Sequence, residues 1–305
     1  MPQIPLPLVL SDLASFGMIK SPNNPGTQEI ELREQRELLM SIKRVTTTDL
    51  FIYKQSKNKW VMLTSYDSLT ASLFDEAGIP VLLVGDSAAN LVFGYDSTLP
   101  VTVEDMLPIV SAVARSTKNA MVVADMPFGS YQTSTSSALD SATKFLKAGA
   151  HAVKLEGGQR IVETIKALVE AGIPVMGHIG LTPQSVNVFG GYKVQGRGEN
   201  ADQLILDAKA LEESGAFAIV LEAIPSELAK QITESVSIPT IGIGAGSDTD
   251  AQVMVWQDLV GLTPGPKPKF VKNYLNLRQE IEKAVKDFSS DVASGKYPDK
   301  DHSYE

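Results

Sequence analysis

The chain contains no cysteine. That excludes disulfides, thiol nucleophiles and thiolate metal sites, and it suits a reducing, cytoplasmic setting. Basic charge is also short: 27 Lys and Arg stand against 36 Asp and Glu, a formal net charge of -9. A nucleic-acid partner needs a basic face to meet its phosphates, so that class of function is disfavoured. Long apolar runs are missing, none approaching the roughly 18 to 20 residues that span a bilayer, so no membrane partner is expected. The opening ten residues are apolar but broken by Pro2, Pro5 and Pro7, and they lack the basic start of a secretory signal. The first arginine is Arg33, preceded by Asp12, Glu29 and Glu31, which speaks against an Arg-rich transit peptide. Only 3 histidines occur, among them His178 and His302.

What is present is a recurring pattern. Val81-Leu82-Leu83-Val84 is a short branched run ending in Gly85-Asp86-Ser87, the signature of a strand buried on both faces that delivers polar atoms at its carboxyl end. Met121–Ala124 ends likewise in Asp125, Ala152–Leu155 in Glu156, and Val175–Gly177 in His178. Ala218–Leu221 ends in Glu222, and Val61–Tyr66 in Asp67. Helical spacing separates these runs, often closed by a glycine such as Gly78, Gly149, Gly172 or Gly215. A further strand is expected at Thr240–Gly244, and an eighth near Leu259-Val260-Gly261. Seven or eight strand–helix units in about 240 residues, with no Gly-rich phosphate loop after the first strand, favour a (β/α)8 TIM barrel over a doubly wound sheet. The organisation read from this is an N-terminal extension over 1–45, coil and then a helix from about Glu29. A barrel catalytic domain follows over 46–290, with its last helix at Lys272–Ser289, and a polar tail over 291–305.

Carboxylates gathered at one rim of a barrel point to a hard metal ion. Asp86 and Asp125 come from neighbouring strands and can grip a dication from one side, with Glu156 completing the arc directly or through water. Each could instead cap a helix. Lys154 shares a strand face with Glu156, and an inward lysine needs a carboxylate or bound anion for company. His178 is a candidate for catalysis or for a purely structural bond. Glu222, after four apolar residues, should be partly desolvated, which suits proton transfer; helix capping is its competitor. The glycine-rich stretch from Gly177 to Arg197 reads as a lid over a bound ligand, and Gly242–Ser247 offers backbone donors.

These segments together resemble the ketopantoate hydroxymethyltransferase family. The likeness rests on Leu63–Asp67, Val84–Ser87, Gly94–Thr102, Ala124–Phe128 and Val153–Gly158. It continues through Gly177–Asn187, Gly190–Gly198, Val220–Glu222 and Ile241–Gly246, from about Thr47 onward. The resemblance implies a barrel of the phosphoenolpyruvate mutase/isocitrate lyase type. It implies Mg2+ held by Asp86 and Asp125 with Glu156 in its environment. It implies a 2-oxo acid substrate, 3-methyl-2-oxobutanoate, contacting Asp86, Ser87, Asp125 and Lys154 with His178 near it, and Glu222 as the catalytic base. The one-carbon donor would be 5,10-methylenetetrahydrofolate, the products 2-dehydropantoate and tetrahydrofolate on the route to pantothenate, and the assembly a homo-oligomer, in this family commonly a decamer. Two departures from the family pattern stand near the expected site: Ala88-Ala89-Asn90 where Leu-Gly-Met is usual, and Ala251 where glycine is usual. Two other classes compete. A Mg2+-dependent lyase or phosphonomutase typically wants a cysteine that is absent here, and an impaired barrel kept as a binding or structural subunit should have lost the acids.

Overall fold

A computed structural model describes residues 44–198 and 200–304. The expected N-terminal extension, including the helix from Glu29, lies outside the described residues except for its last two. Eight strands form a closed parallel barrel in sequence order: β1 (Trp60–Thr64), β2 (Val81–Val84), β3 (Met121–Asp125), β4 (Ala152–Glu156), β5 (Val175–Gly180), β6 (Ala218–Glu222), β7 (Thr240–Ile243) and β8 (Ala251–Met254). The helices are α1 (Thr47–Gln55), α2 (Ser68–Glu76), α3 (Ala88–Leu91), α4 (Val103–Ser116), α5 (Thr135–Lys147), α6 (Val162–Glu170), α7 (Val186–Phe189), α8 (Asn200–Glu213), α9 (Ser226–Ser235), α10 (Trp256–Leu259) and α11 (Leu277–Ala293).

The period-2 alternation of each strand divides the core in two. Leu82, Val84, Val122, Ala124, Val153, Leu155, Ile219 and Leu221 face the helical layer. Val81, Leu83, Met121, Val123, Ala152, Met176, Ala218 and Val220 fill the barrel bore together with Met62, Ile241, Ala251 and Val253. Leu50 of α1 joins the bore cluster and is fully buried, so the helix preceding β1 packs onto the inner core. Continuing the inward parity toward the carboxyl ends replaces apolar residues by Asp125 on β3, Lys154 and Glu156 on β4, His178 on β5 and Glu222 on β6. The filled lower bore and the polar upper rim follow from one alternation.

The expected eighth strand is corrected by the structure. Residues 259–261 form the end of α10 and a turn at Gly261 (φ 68°), while Ala251–Met254 pairs with both β7 and β1 and closes the barrel. Only the seven residues 244–250 connect β7 to β8, with no helix between them. The strand–helix rhythm therefore breaks between β7 and β8, and β8 comes earlier in the chain than that rhythm predicts. Exposed Gln252 also interrupts what would otherwise read as an apolar run. The last helix is likewise shifted, starting at Leu277 and running to Ala293. The long connection after β2 holds a short helix, α3, before Thr102 caps α4 in a reciprocal box with Asp105.

Candidate active site

Backbone register sets the rim residues side by side: Asp125 pairs with Lys154, Glu156 with His178, and Gly180 with Glu222. The side chains follow. Lys154 Nζ lies 2.9 Å from Asp125 Oδ1 and 3.3 Å from His178 Nδ1. His178 stands between two carboxylates, its Nδ1 3.5 Å from Glu156 Oε1 and its Nε2 3.3 Å from Glu222 Oε2. Asp86, one turn past β2, donates its backbone N–H to Asp125 Oδ2 at 3.3 Å. Asp86, Asp125, Lys154, Glu156 and His178 are all buried, whereas Glu222 keeps 18% of its side chain accessible. The most open member of the chain of contacts is thus the carboxylate at the mouth.

The charges are crowded enough to alter one another. Burial, with Asp125 and Glu156 close by, pushes the Asp86 carboxyl well above the usual carboxylate range. Burial also raises Asp125, although Lys154 pulls the other way. Burial alone would raise Glu156, but His178, Lys154 and the Gln184 N–H outweigh it and hold that carboxyl low. Burial and Lys154 press the His178 imidazole down, yet the carboxylates of Glu156 and Glu222 prevail and set it at about 9.

Backbone geometry fixes the end of β6. Gly180 (φ 95°) lets β5 approach so closely that a Cβ there would sit 2.3 Å from the Glu222 carbonyl oxygen. Ala223, the next residue after Glu222, is held in the left-handed region (φ 48°), a conformation costing a non-glycine residue about 1–2 kcal/mol. Its N–H donates to Ile243 O and its carbonyl accepts from Gln195 N. These bonds anchor the turn from which Glu222 projects.

Not every expected rim residue joins the cluster. Asp67 is an exposed cap of α2, accepting from Leu69 N and Thr70 N. Ser87 directs its hydroxyl to the buried Tyr66 Oη at 2.8 Å. At the glycine-rich turn after β7 the backbone is closely packed, a Cβ at Gly244 meeting the Phe270 ring at 2.7 Å and one at Gly246 meeting Ser226 at 2.5 Å. Three polar residues come into the site that residue patterning did not single out: Tyr66, Tyr131 and Gln184. Gln184 donates to Asp86 Oδ2 at 2.9 Å through its side chain and to Glu156 Oε2 at 3.0 Å through its backbone.

The donor set suits a hard dication, being carboxylate oxygens in a buried pocket, with Glu156 Oε1 meeting only His178 Nδ1, at 3.5 Å. Among the described residues no group of three or more His, Asp or Glu side chains is set to ligate one ion. Asp86 and Asp125 are the carboxylates of this cluster that could hold such a cation, with Glu156 nearby.

A family model described as ketopantoate hydroxymethyltransferase matches residues 44–300. The chain belongs to the ketopantoate hydroxymethyltransferase family. It is 59% identical over 264 residues to the 3-methyl-2-oxobutanoate hydroxymethyltransferase of Thermobifida fusca (strain YX), covering 86% of this chain and 94% of that protein. A protein of the same name from Saccharopolyspora erythraea is 53% identical over 287 residues, covering 94% of this chain and 98% of that one. Among solved structures, the barrel resembles a phosphonopyruvate hydrolase complex with oxalate and Mg++ (TM-score 0.56, 13% identity, 85% of this chain and 93% of that one). It also resembles 2,3-dimethylmalate lyase, a PEP mutase/isocitrate lyase superfamily member (TM-score 0.51, 17% identity, 84% and 91%). These two similarities bear on the fold, which is the barrel type expected of this family.

The two departures from the ketopantoate hydroxymethyltransferase pattern lie outside the acid cluster. Ala88 and Ala89 are buried in the core that α3 joins, and the Asn90 side chain donates to Tyr95 O at 2.8 Å, pinning the loop after β2. Ala251 opens β8 and packs in the barrel bore.

Proposed function

We propose that this chain transfers a hydroxymethyl group from 5,10-methylenetetrahydrofolate to 3-methyl-2-oxobutanoate, giving 2-dehydropantoate and tetrahydrofolate in pantothenate biosynthesis. The observation that carries the reading is the line Asp125–Lys154–His178–Glu222, which sets an accessible carboxylate opposite buried positive charge. Glu222 is placed to take the C3 proton of the oxo acid, and His178 orients that carboxylate through the 3.3 Å contact at Nε2. Lys154, with Ser87 just past the end of β2, contacts the carboxylate and oxo oxygens, so negative charge that develops there meets a fixed cation. A divalent cation, Mg2+ on this reading, held by Asp86 and Asp125 with Glu156 close by, supplies Lewis-acid stabilisation of that charge when bound. The deprotonated C3 forms the new bond to the folate's methylene carbon, and water supplies the hydroxyl as tetrahydrofolate leaves. A cleft of about 390 Å³ bordered by Leu99, Phe128, Tyr131 and Val188 reaches the cluster at Glu156 and Gln184 and leaves room for the second reactant. The chain's own contribution is alignment and charge, while the folate carries the activated carbon.

We take residues 46–290 as the catalytic barrel domain of a cytoplasmic enzyme, with 1–45 an extension and 291–305 a tail. No helix among the described residues is long and apolar enough to cross a membrane. We infer a homo-oligomer, in the decamer form common in this family; the exposed apolar stripe Ile281, Val285, Phe288 and Val292 on α11 offers a surface for subunit contact but does not bear on the number of subunits. An impaired barrel finds no support, since every acid of the proposed site is in place.

The test is exchange of the C3 proton of 3-methyl-2-oxobutanoate in heavy water with Mg2+ and without folate, followed by NMR. Glu222→Gln should slow exchange by about 100-fold or more, the range of general acid–base catalysis. Wild-type exchange in that variant would remove Glu222 from the role of base.

A further inference from the structure

Gln184 sits in the short 3-10 turn Pro183–Ser185 that follows β5, and it is 95% buried by its surroundings, with a relative exposure of 5%. Its side-chain amide is fully bonded. Nε2 donates to Asp86 Oδ2 at 2.9 Å and to Met126 O at 2.9 Å. Oε1 accepts from Tyr131 Oη at 2.8 Å and from Gln132 Nε2 at 3.0 Å. The orientation of the amide is dictated by these partners, because turning it over would set its oxygen against the Met126 carbonyl and the Asp86 carboxylate. Its backbone N–H donates to Glu156 Oε2 at 3.0 Å. One residue from the β5 loop therefore restrains carboxylates that arrive from β2 and β4.

Tyr131 holds this amide in turn. Its hydroxyl accepts from Glu156 N at 3.0 Å and has Gln184 Oε1 as the nearer of two acceptors, with Glu156 O at 3.1 Å. The Tyr131 side chain is 2% exposed, so the hydroxyl has little competition from water. Two of these bonds, from Gln184 Nε2 to Asp86 Oδ2 and from Gln184 N to Glu156 Oε2, each occupy one lone pair of a rim carboxylate.

We propose that the Gln184 side chain is a positioning residue for the dication site: its amide orients the Asp86 carboxylate, while the backbone N–H of the same residue holds Glu156, and Tyr131 fixes the amide. The inference rests on the metal reading given under Proposed function. Residues that orient metal-binding carboxylates commonly contribute 10–100-fold to affinity, and that is the effect expected here. A near-isosteric Gln184→Met removes both donors and both acceptor sites while filling the same space. Tyr131→Phe removes only the hydroxyl behind the amide.

The experiment is titration of the full-length protein, in its native assembly, with Mn2+, reading free ion by electron paramagnetic resonance in the absence of substrate. Gln184→Met should bind Mn2+ about 10–100-fold more weakly than wild type, and Tyr131→Phe several-fold more weakly. If Gln184→Met does not fold, Tyr131→Phe decides, with circular dichroism and thermal unfolding reporting its folded state. Binding within twofold of wild type in a folded Gln184→Met, or in Tyr131→Phe where only that variant folds, overturns the proposal. A wild-type protein that takes up no Mn2+ overturns the metal reading itself, a result distinct from the first.

Discussion

At the scale of the residue, the site is governed by the cost of placing charge where water does not reach. Lys154 is the single lysine among the buried acids, and burial would lower its pKa were Asp125, Glu156 and Asp86 not near enough to hold it up. Lys154→Met would leave the Asp125 carboxylate without its 2.9 Å partner. Removing one member of a buried pair commonly costs about 3–5 kcal/mol, so urea unfolding without added metal should show a loss of about 3 kcal/mol. Unchanged stability would mean that the acids are already neutral in the fold. His151 is governed by the same cost at a different place. Burial, helped by Arg44, lowers its pKa from 6.5 to about 4, and its Nδ1 accepts from Val122 N at 3.0 Å. Because the unfolded chain takes up this proton first, the contribution is complete above pH 6.5 and is lost as pH falls from 6.5 toward 4. His151→Gln should flatten the urea-stability profile across that window; an identical slope in the variant would assign the acid loss to other groups.

At the scale of the element, β5 and β6 are the pair on which the proposed base depends. Gly180 brings β5 against the carbonyl of Glu222, and Leu181 N donates back to that same oxygen at 2.8 Å. Gly180→Ala adds a methyl group into backbone and places a side chain at φ 95°, a combination expected to cost about 2–4 kcal/mol. The end of β6 must then move, so C3-proton exchange should fall at least about tenfold even where the variant remains folded. Exchange at the wild-type rate would show that Glu222 tolerates a shifted strand. The same element logic explains what patterning missed. Gln184 lies within a loop read as a lid, and its chemistry comes from bonding four partners of distant sequence, Asp86, Met126, Tyr131 and Gln132. No local period marks such a residue; only the glutamine's capacity for both donation and acceptance hints at it.

At the scale of the whole molecule, closure of the barrel decides which residues meet, and the outer surface decides what the barrel meets. The α11 stripe has relative exposures of 44% at Ile281, 61% at Val285, 56% at Phe288 and 50% at Val292. Apolar residues spaced by four, three and four on one helix form a continuous band that is costly to leave in water. Val285→Glu combined with Phe288→Glu should shift sedimentation velocity toward smaller species while leaving the barrel's circular dichroism intact. An unaltered sedimentation profile would remove this stripe as the contact surface of the proposed oligomer.

The sequence by itself determined the strands β1 to β7, the parity that sends Asp125, Lys154, Glu156, His178 and Glu222 inward, and membership of a parallel barrel. Those features are local: period 2 within a strand and one polar residue at its end are visible over five or six positions. Tertiary structure alone decided that β8 begins at Ala251, that Asp67 caps a helix while Asp86 enters the cluster, and that Gln184 ties the acids together. These outcomes depend on register across a closed sheet and on hydrogen bonds between residues as far apart as Asp86 and Gln184, separations over which chain order carries no geometric information.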